Sequence, residues 1–290
     1  MPHPLNNALQ QKMDDLAIGT WSDLRIGTRL KLAPGEESIT DHNLLELHRS
    51  VSGFNVQKFS KSAEKLNGAD WEWWIGSDAT RWIRLRVQAK RIHHRTYKML
   101  SHKDKRTGEM QMDTLIQSSQ SEVGVYPYHV FYNGWDMDRF KGSDVTDALK
   151  KNPLFRTCCR TEELWGCAAV PSELVRGIYQ TPHGTYAPRY LEHAVPWSHL
   201  FGFPASVRGS EEQLSAIEKQ LEAERIRAFE LLSNFDIQDQ GSPGRVTNVP
   251  GYARMVMRGN VDESQLDTGT GLPPAKVIIT TNLEELGQSG

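Results

Sequence analysis

Gly68-Ala69-Asp70-Trp71-Glu72-Trp73-Trp74-Ile75, the linker Gly76-Ser77-Asp78-Ala79-Thr80, and then Arg84-Leu85-Arg86-Val87-Gln88-Ala89-Lys90-Arg91 form the stretch that decides the fold. Both flanks alternate in character with the period of two expected of strands, and the small, polar linker suits a hairpin loop. On the second flank Arg84, Arg86, Gln88 and Lys90 share one face, against Ile83, Leu85, Val87 and Ala89 on the other. On the first flank Asp70, Glu72 and Trp74 oppose Trp71, Trp73 and Ile75. The pattern predicts an apolar face toward the core and a polar, cationic face behind it. Residues 70 and 88 are nearly symmetric about the linker, and directly opposed residues of an antiparallel pair lie roughly 5 Å apart at Cβ. Asp70, Glu72, Gln88 and Lys90 are therefore expected to crowd one small region. Two carboxylates two residues apart on a strand can hold one divalent cation through oxygen, as Mg²⁺ requires. Lys90 would then offer a point charge to a phosphate or to an attacking water. An ordinary hairpin whose charged face meets solvent fits the same spacing.

The pattern Gly-x-Asp, a hairpin, then hydrophobic-Gln-x-Lys resembles the active-site signature of the PD-(D/E)XK nuclease superfamily, in the Gln-x-Lys variant of Mrr-type restriction enzymes. It is also similar to an uncharacterised bacterial family with GADWEWW and VQAKR segments. The resemblance places the family aspartate on Asp70, the second-acid position on Gln88 and the lysine on Lys90. It implies an α/β, restriction-endonuclease-like fold, a mixed β-sheet flanked by helices. The implied activity is Mg²⁺- or Mn²⁺-dependent phosphodiester hydrolysis, with Asp70 and the main-chain carbonyl of Ala89 as metal ligands and Lys90 positioning the water. Gln88 stands where the commoner Glu would be, so one negative charge is missing, and Glu72 is the candidate to replace it at the metal.

Neighbouring segments follow the superfamily's order. A helix with an acidic residue is expected before the hairpin, and Thr40 to Arg49 carries a cap residue and an apolar run that suit one. Glu46 is its candidate acid, with Glu64 a weaker one; a solvated helical Glu46 is the plainer alternative. Phe54 to Phe59 is expected as the first core strand. Met112, Leu115, Ile116 and Ser119 give a helical stripe. Some related nucleases carry a helical Gln followed four residues later by Tyr at this point; here Gln111 is followed by Leu115. Tyr126 to Asn133 follows as a strand. The resemblance covers residues 36–133.

Charge is balanced overall, 34 Lys plus Arg against 36 Asp plus Glu, so the global composition does not announce nucleic acid. Between Arg81 and Arg106, however, ten basic residues face a single Asp104. Arg84, Arg86, Arg91, Arg95 and Lys98 from this cluster are the candidate nucleic-acid contacts, binding phosphates without reading sequence. A solvated basic surface is the alternative. Trp82 and Tyr97 could stack bases, with buried packing the simpler expectation.

Other chemistries leave little trace. There is no phosphate-binding Gly-x-x-x-x-Gly-Lys-[Ser/Thr] loop, no Gly-x-Ser-x-Gly elbow and no His-Glu-x-x-His helix. Three cysteines, Cys158, Cys159 and Cys167, make no zinc pattern and are expected as buried thiols. No run approaches the roughly 18 apolar residues of a membrane helix, and the N-terminus lacks a secretory signal, so a cytoplasmic location without membrane association is expected.

Within the 290 residues we expect a restriction-endonuclease-like domain over 1–205, with motif core 36–133, and a C-terminal helical and irregular extension over 206–290. Helices are expected at Val145 to Lys150, Ser172 to Tyr179 and Glu211 to Asn234, and short strands at Ala253 to Arg258 and Lys276 to Thr281. The functional expectation is a metal-dependent endonuclease acting on nucleic acid, DNA foremost, with bacterial anti-phage defence as a setting by analogy of fold. Asp70, Gln88, Lys90, Glu72 and Glu46 are its catalytic candidates. A regulatory protein partner or a homo-oligomer is compatible with it. The competing expectation is a non-catalytic nucleic-acid-binding or assembly subunit on a degenerate nuclease scaffold.

Overall fold

The hairpin forms. In this computed structural model, which describes residues 7–59, 68–103, 108–135, 143–157, 159, 161–204, 206–233, 244–259 and 274–286, β2 (Trp71–Ser77) pairs antiparallel with β3 (Arg81–Arg91), Trp71 opposite Val87 and Ser77 opposite Arg81. The turn is tighter than the five-residue linker suggested, because Gly76 and Ser77 belong to β2 and only Asp78, Ala79 and Thr80 lie between the strands. The Thr80 hydroxyl accepts the Ser77 N–H at 2.9 Å, closing the loop from within.

Seven strands make one mixed sheet in the order β1-β7-β2-β3-β4-β5-β6. The others are β1 (Phe54–Lys58), β4 (Val125–Tyr132), β5 (Cys167–Pro171), β6 (Val195–Pro196) and β7 (Val277–Asn282). Pairs β7–β2 and β3–β4 are parallel; the remaining four are antiparallel. The helices are α1 (Ala8–Leu30), α2 (Glu36–Ser50), α3 (Gln111–Gln120), α4 (Ser143–Lys151) and α5 (Pro153–Thr157). They continue with α6 (Ser172–Tyr179), α7 (Pro188–Leu191), α8 (Ser210–Leu232), α9 (Gly251–Met257) and α10 (Leu283–Leu286). The α/β class with a mixed sheet between helices is thus the observed architecture.

Both faces of the hairpin are covered. Trp71, Trp73, Leu85, Val87 and Ala89 pack in one core with residues of α1, α2 and α8. Trp74 and Trp82 pack on the opposite face against Leu115 of α3 and Tyr252, Ala253 and Val256 of α9. The face expected to be open and cationic is therefore interior, as a central strand between two helical layers must be. Trp82 and Tyr97 are buried, as are Cys159 and Cys167, whereas Cys158 lies outside the described residues.

Two expectations for the C-terminal third are corrected. Ala253 to Arg258 is part of a helix, α9, not a strand, since Tyr252, Ala253 and Val256 are spaced to lay one helical face on the core. The segment from 276 onward is a strand, but it does not belong to a separate extension. β7 lies between β1 and β2, pairing with each along its length, so the division at residues 205 and 206 cuts through the sheet. The long helix α8 matches its expected span to within a few residues and buries Leu214, Ile217, Leu221, Ala228 and Leu232. Among the described residues no helix is long and apolar enough to cross a membrane.

Candidate functional site

The site grows from the end of β2. Along β3 the even residues bond to β4, as in Arg84 N–H to Gly124 O and Ile92 N–H to Tyr132 O, both 2.9 Å. The odd residues face β2, where Val87 O accepts the Asp70 N–H at 2.9 Å. Beyond Asp70 the first flank leaves β3, and the next odd N–H groups lose their strand partner. Carboxylates take them instead: Asp70 Oδ2 accepts from Ala89 N–H at 2.8 Å, and Glu36 Oε2 accepts from Arg91 N–H at 2.8 Å. In a strand the N–H and C=O of one residue point to the same neighbour, so the Ala89 carbonyl faces the same edge, between these two carboxylates. Glu36 Oε1 lies 3.7 Å from the buried Lys90 ammonium. Burial raises the Glu36 carboxyl above its ordinary value; Lys90 opposes this and Asp70 reinforces it. Asp70 and Lys90 are thus both close enough to act on one carboxylate.

Glu36, Asp70 and Ala89 border a cavity of about 180 Å³ whose lining also includes Glu37, Thr40, Asp41, Lys58, Lys276 and Val277. Its oxygen donors, Asp70, Glu36 and the Ala89 carbonyl, are of the hard type that suits Mg²⁺ or Mn²⁺, and Mg²⁺ commonly uses one or two carboxylates while keeping several waters. Among the described residues no group of three or more His, Cys, Asp or Glu is arranged to hold a metal ion. Two carboxylates and one carbonyl are a donor set that Mg²⁺ accepts only with waters completing its shell, and a repelling carboxylate pair gains from a cation placed between its members.

Glu36 was missed because the helix start was set at Thr40. α2 begins at Glu36 behind the N-cap Gly35, and Thr40 sits one turn in, its hydroxyl bonded to Glu36 O at 3.0 Å and to Tyr132 Oη at 2.8 Å. The signal was Pro34-Gly35-Glu36-Glu37, a turn followed by acids suited to a first helical turn. Glu46, the acid chosen from sequence, is held by Lys12 at 3.1 Å and Arg49 at 3.0 Å, which lower its carboxyl, and it does not line the cavity. It is the solvated helical residue of the plainer alternative. Glu64 lies outside the described residues.

Glu72 does not join Asp70. It is fully buried under α3 and α9, with Trp74 Nε1 and Tyr252 Oη both donating to Oε1 at 2.6 Å and Arg86 Nε 3.3 Å from Oε2. Arg84 and Arg86, expected on nucleic acid, are the counter-charges of this cluster. Arg86 also donates to Ser118 O at 2.9 Å and to Glu122 at 3.0 Å, and Arg84 pairs with Glu122 while its guanidinium lies 4.7 Å from the Trp74 ring centre. The two arginines hold the Glu72 carboxyl below its ordinary value against the burial that would raise it. A buried carboxylate demands such neutralisation, which is why neither arginine reaches solvent.

Gln88 is committed inward. Its Oε1 lies 2.8 Å from His129 Nε2 and its Nε2 donates to Gly68 O at 3.2 Å, while His129 Nδ1 lies 2.9 Å from the Ser172 hydroxyl. This arrangement makes His129 a donor at Nε2 and an acceptor at Nδ1. Gln88 then braces the Gly68-Ala69-Asp70 segment rather than offering its oxygen to a cation. Arg91 spans to the residues before α2, donating to Pro34 O at 2.6 Å, and so holds the helix start that carries Glu36. Arg95 is half-buried; of the five basic candidates, Lys98 is the exposed one.

No curated protein matches the chain. Residues 9–285 match the model described as a family of unknown function, DUF6615, and the chain belongs to that family.

Proposed function

We propose that the chain is a metal-dependent nuclease whose centre is the frayed edge of β3. The observation that carries this reading is the meeting of Asp70, Glu36 and the Ala89 carbonyl on one strand edge, beside Lys90. Asp70, Glu36 and Ala89 would hold Mg²⁺ or Mn²⁺. Bound there, the cation would supply Lewis-acid polarisation of a phosphodiester and of a water. Lys90 orients the attacking water and offsets charge developing on the phosphorus oxygens. Glu36, held beside that ammonium, is the second carboxylate of the site. Gln88, locked by His129, fixes the backbone from which Asp70 projects.

Incubating the chain with single- and double-stranded DNA and RNA, with and without Mg²⁺ or Mn²⁺, tests the reading. Metal-dependent cleavage is expected, reduced at least about 100-fold by Asp70→Asn, Glu36→Gln or Lys90→Ala. Equal cleavage by wild type and all three variants marks a contaminant and overturns the proposal, as does the absence of cleavage on every substrate. DNA is the expected leading substrate and defence against foreign DNA the expected setting, the latter by analogy of fold.

A second reading is favoured by one observation, the commitment of Gln88 to His129 and Gly68, which leaves two carboxylates for a metal. It makes the chain a non-catalytic nucleic-acid-binding subunit. Calorimetry with Mn²⁺ separates the two: heat that disappears in Asp70→Asn supports the nuclease, and salt-sensitive nucleic-acid binding indifferent to metal supports the subunit.

A further inference from the structure

With Arg84 and Arg86 turned inward, the phosphates of a strand lying in the cavity need other cations. The cavity lining contains two, Lys58 at the end of β1 and Lys276 just before β7. Adjacent strands bring them together, and both meet the same atom: Glu37 Oε1 is 2.9 Å from the Lys58 ammonium and 2.6 Å from that of Lys276. Lys58 also lies 2.6 Å from Asp41 Oδ2. One oxygen bridging two ammonium groups is the contact a non-bridging phosphate oxygen makes. Glu37 and Asp41 are exposed, at 57% and 46% of their side-chain surface, Lys58 is at 39% and Lys276 at 12%. Glu37 is thus the most exposed member of the arrangement and Lys276 its held one. Lys276 first and Lys58 second hold the Glu37 carboxyl down at about 2, so it remains an anion at any working pH. Exposed ion pairs are weak, so a polyanion that makes several contacts at once can displace Glu37.

Resting on the nuclease reading, we infer that Lys58 and Lys276 form the seat for a backbone phosphate of the nucleic-acid strand next to Asp70, and that Glu37 occupies this seat until substrate replaces it. Glu37 acts as a competing anion: it lowers affinity for any phosphate chain and suppresses weak, non-productive binding. The carboxylates at the β3 edge and the two lysines then border one and the same cavity, where the strand would lie.

The test measures binding of fluorescent DNA and RNA oligonucleotides, single- and double-stranded, over a series of salt concentrations without metal, each variant being carried in Asp70→Asn protein to prevent cleavage. Lys58→Ala with Lys276→Ala is expected to weaken binding at least about tenfold at low salt and to reduce the log–log salt slope by about two. Glu37→Gln is expected to tighten binding several-fold. Opposite signs separate charge acting on the bound strand from damage to the fold, which would weaken binding in all three substitutions. Unchanged binding in the lysine variant, or weaker binding in Glu37→Gln, overturns the inference. If cleavage that needs Asp70 persists while the lysine variant binds as before, only the phosphate seat falls. If the chain neither binds nor cleaves any of the nucleic acids, the nuclease reading falls with it.

Discussion

His129 is neutral in the folded protein because its ring is fully buried between Gln88 and Ser172, and the Lys90 charge adds to the cost of protonating it; both push its pKa well below the ordinary value. In the unfolded chain the same ring titrates near about 6.5. Below that pH the unfolded state binds a proton that the folded state refuses, so the stability His129 contributes is present above about 6.5 and falls as pH drops, by up to about 1.4 kcal/mol per unit. Denaturant unfolding at pH 7 and pH 5 should therefore show a steeper loss in wild type than in His129→Asn. Equal slopes would mean that the ring is accessible to protons in the native state. At this scale the register of the hairpin was legible in advance, and it sets Asp70 against Ala89. The surroundings of Glu72, Arg84 and Arg86 were not, because alternation along a strand assigns faces but does not say which face a later helix will cover. Tyr252 donates to Glu72 from 180 residues away, a contact no local pattern encodes.

Among the elements, the entry to β2 is the most constrained. Gly68 has φ +73°, and a Cβ there would stand 2.5 Å from Gln111 O and 2.6 Å from Leu115 N, so α3 rests directly on this residue. Gly68 O also anchors the Gln88 carboxamide. Gly68→Ala should cost about 2 kcal/mol of stability from the backbone conformation alone. By displacing α3 or the segment leading to Asp70, it should also lower the cleavage proposed above beyond what the remaining folded fraction explains. Thermal unfolding together with activity per folded molecule checks this, and full specific activity in the folded fraction would count against a positioning role for the turn. Strands β2 to β4 and helices α3, α6 and α8 were readable because their apolar residues recur with clear periods of two or 3.6. α2 was found with its start four residues late, because a glycine N-cap carries no side-chain signal. α9 was misread because its seven residues, Gly251 to Met257, offer under two turns of pattern.

For the molecule as a whole, the sheet order decides what can be removed. β7 pairs with β1 through five registered positions and with β2 through six, and its Val277 N–H donates to Asp70 O at 3.3 Å. Deleting residues 206–290 removes a central strand together with α8, leaving β1 and β2 with unpaired backbone edges and Trp73 without the Thr281 hydroxyl that its indole N–H meets at 2.9 Å. The 1–205 fragment should show no cooperative unfolding transition by circular dichroism. A sharp transition with native-like signal would mean that the first two-thirds fold alone. Sequence could not reveal this coupling, since a run of five β-branched residues looks the same at a sheet's centre as at its edge.

The position of β7 also fixes when the protein becomes competent. A nascent chain leaving the ribosome has β1, β2 and β3 in hand long before residue 277 is synthesised, yet the gap between the first two cannot close until it is. The loop that closes joins residues more than 200 apart in sequence, which makes this docking a late and slow step of folding. The Asp70 carbonyl gains its bond from the Val277 N–H only at that moment, so translation delivers the carboxylate edge unfinished, and β7 completes it.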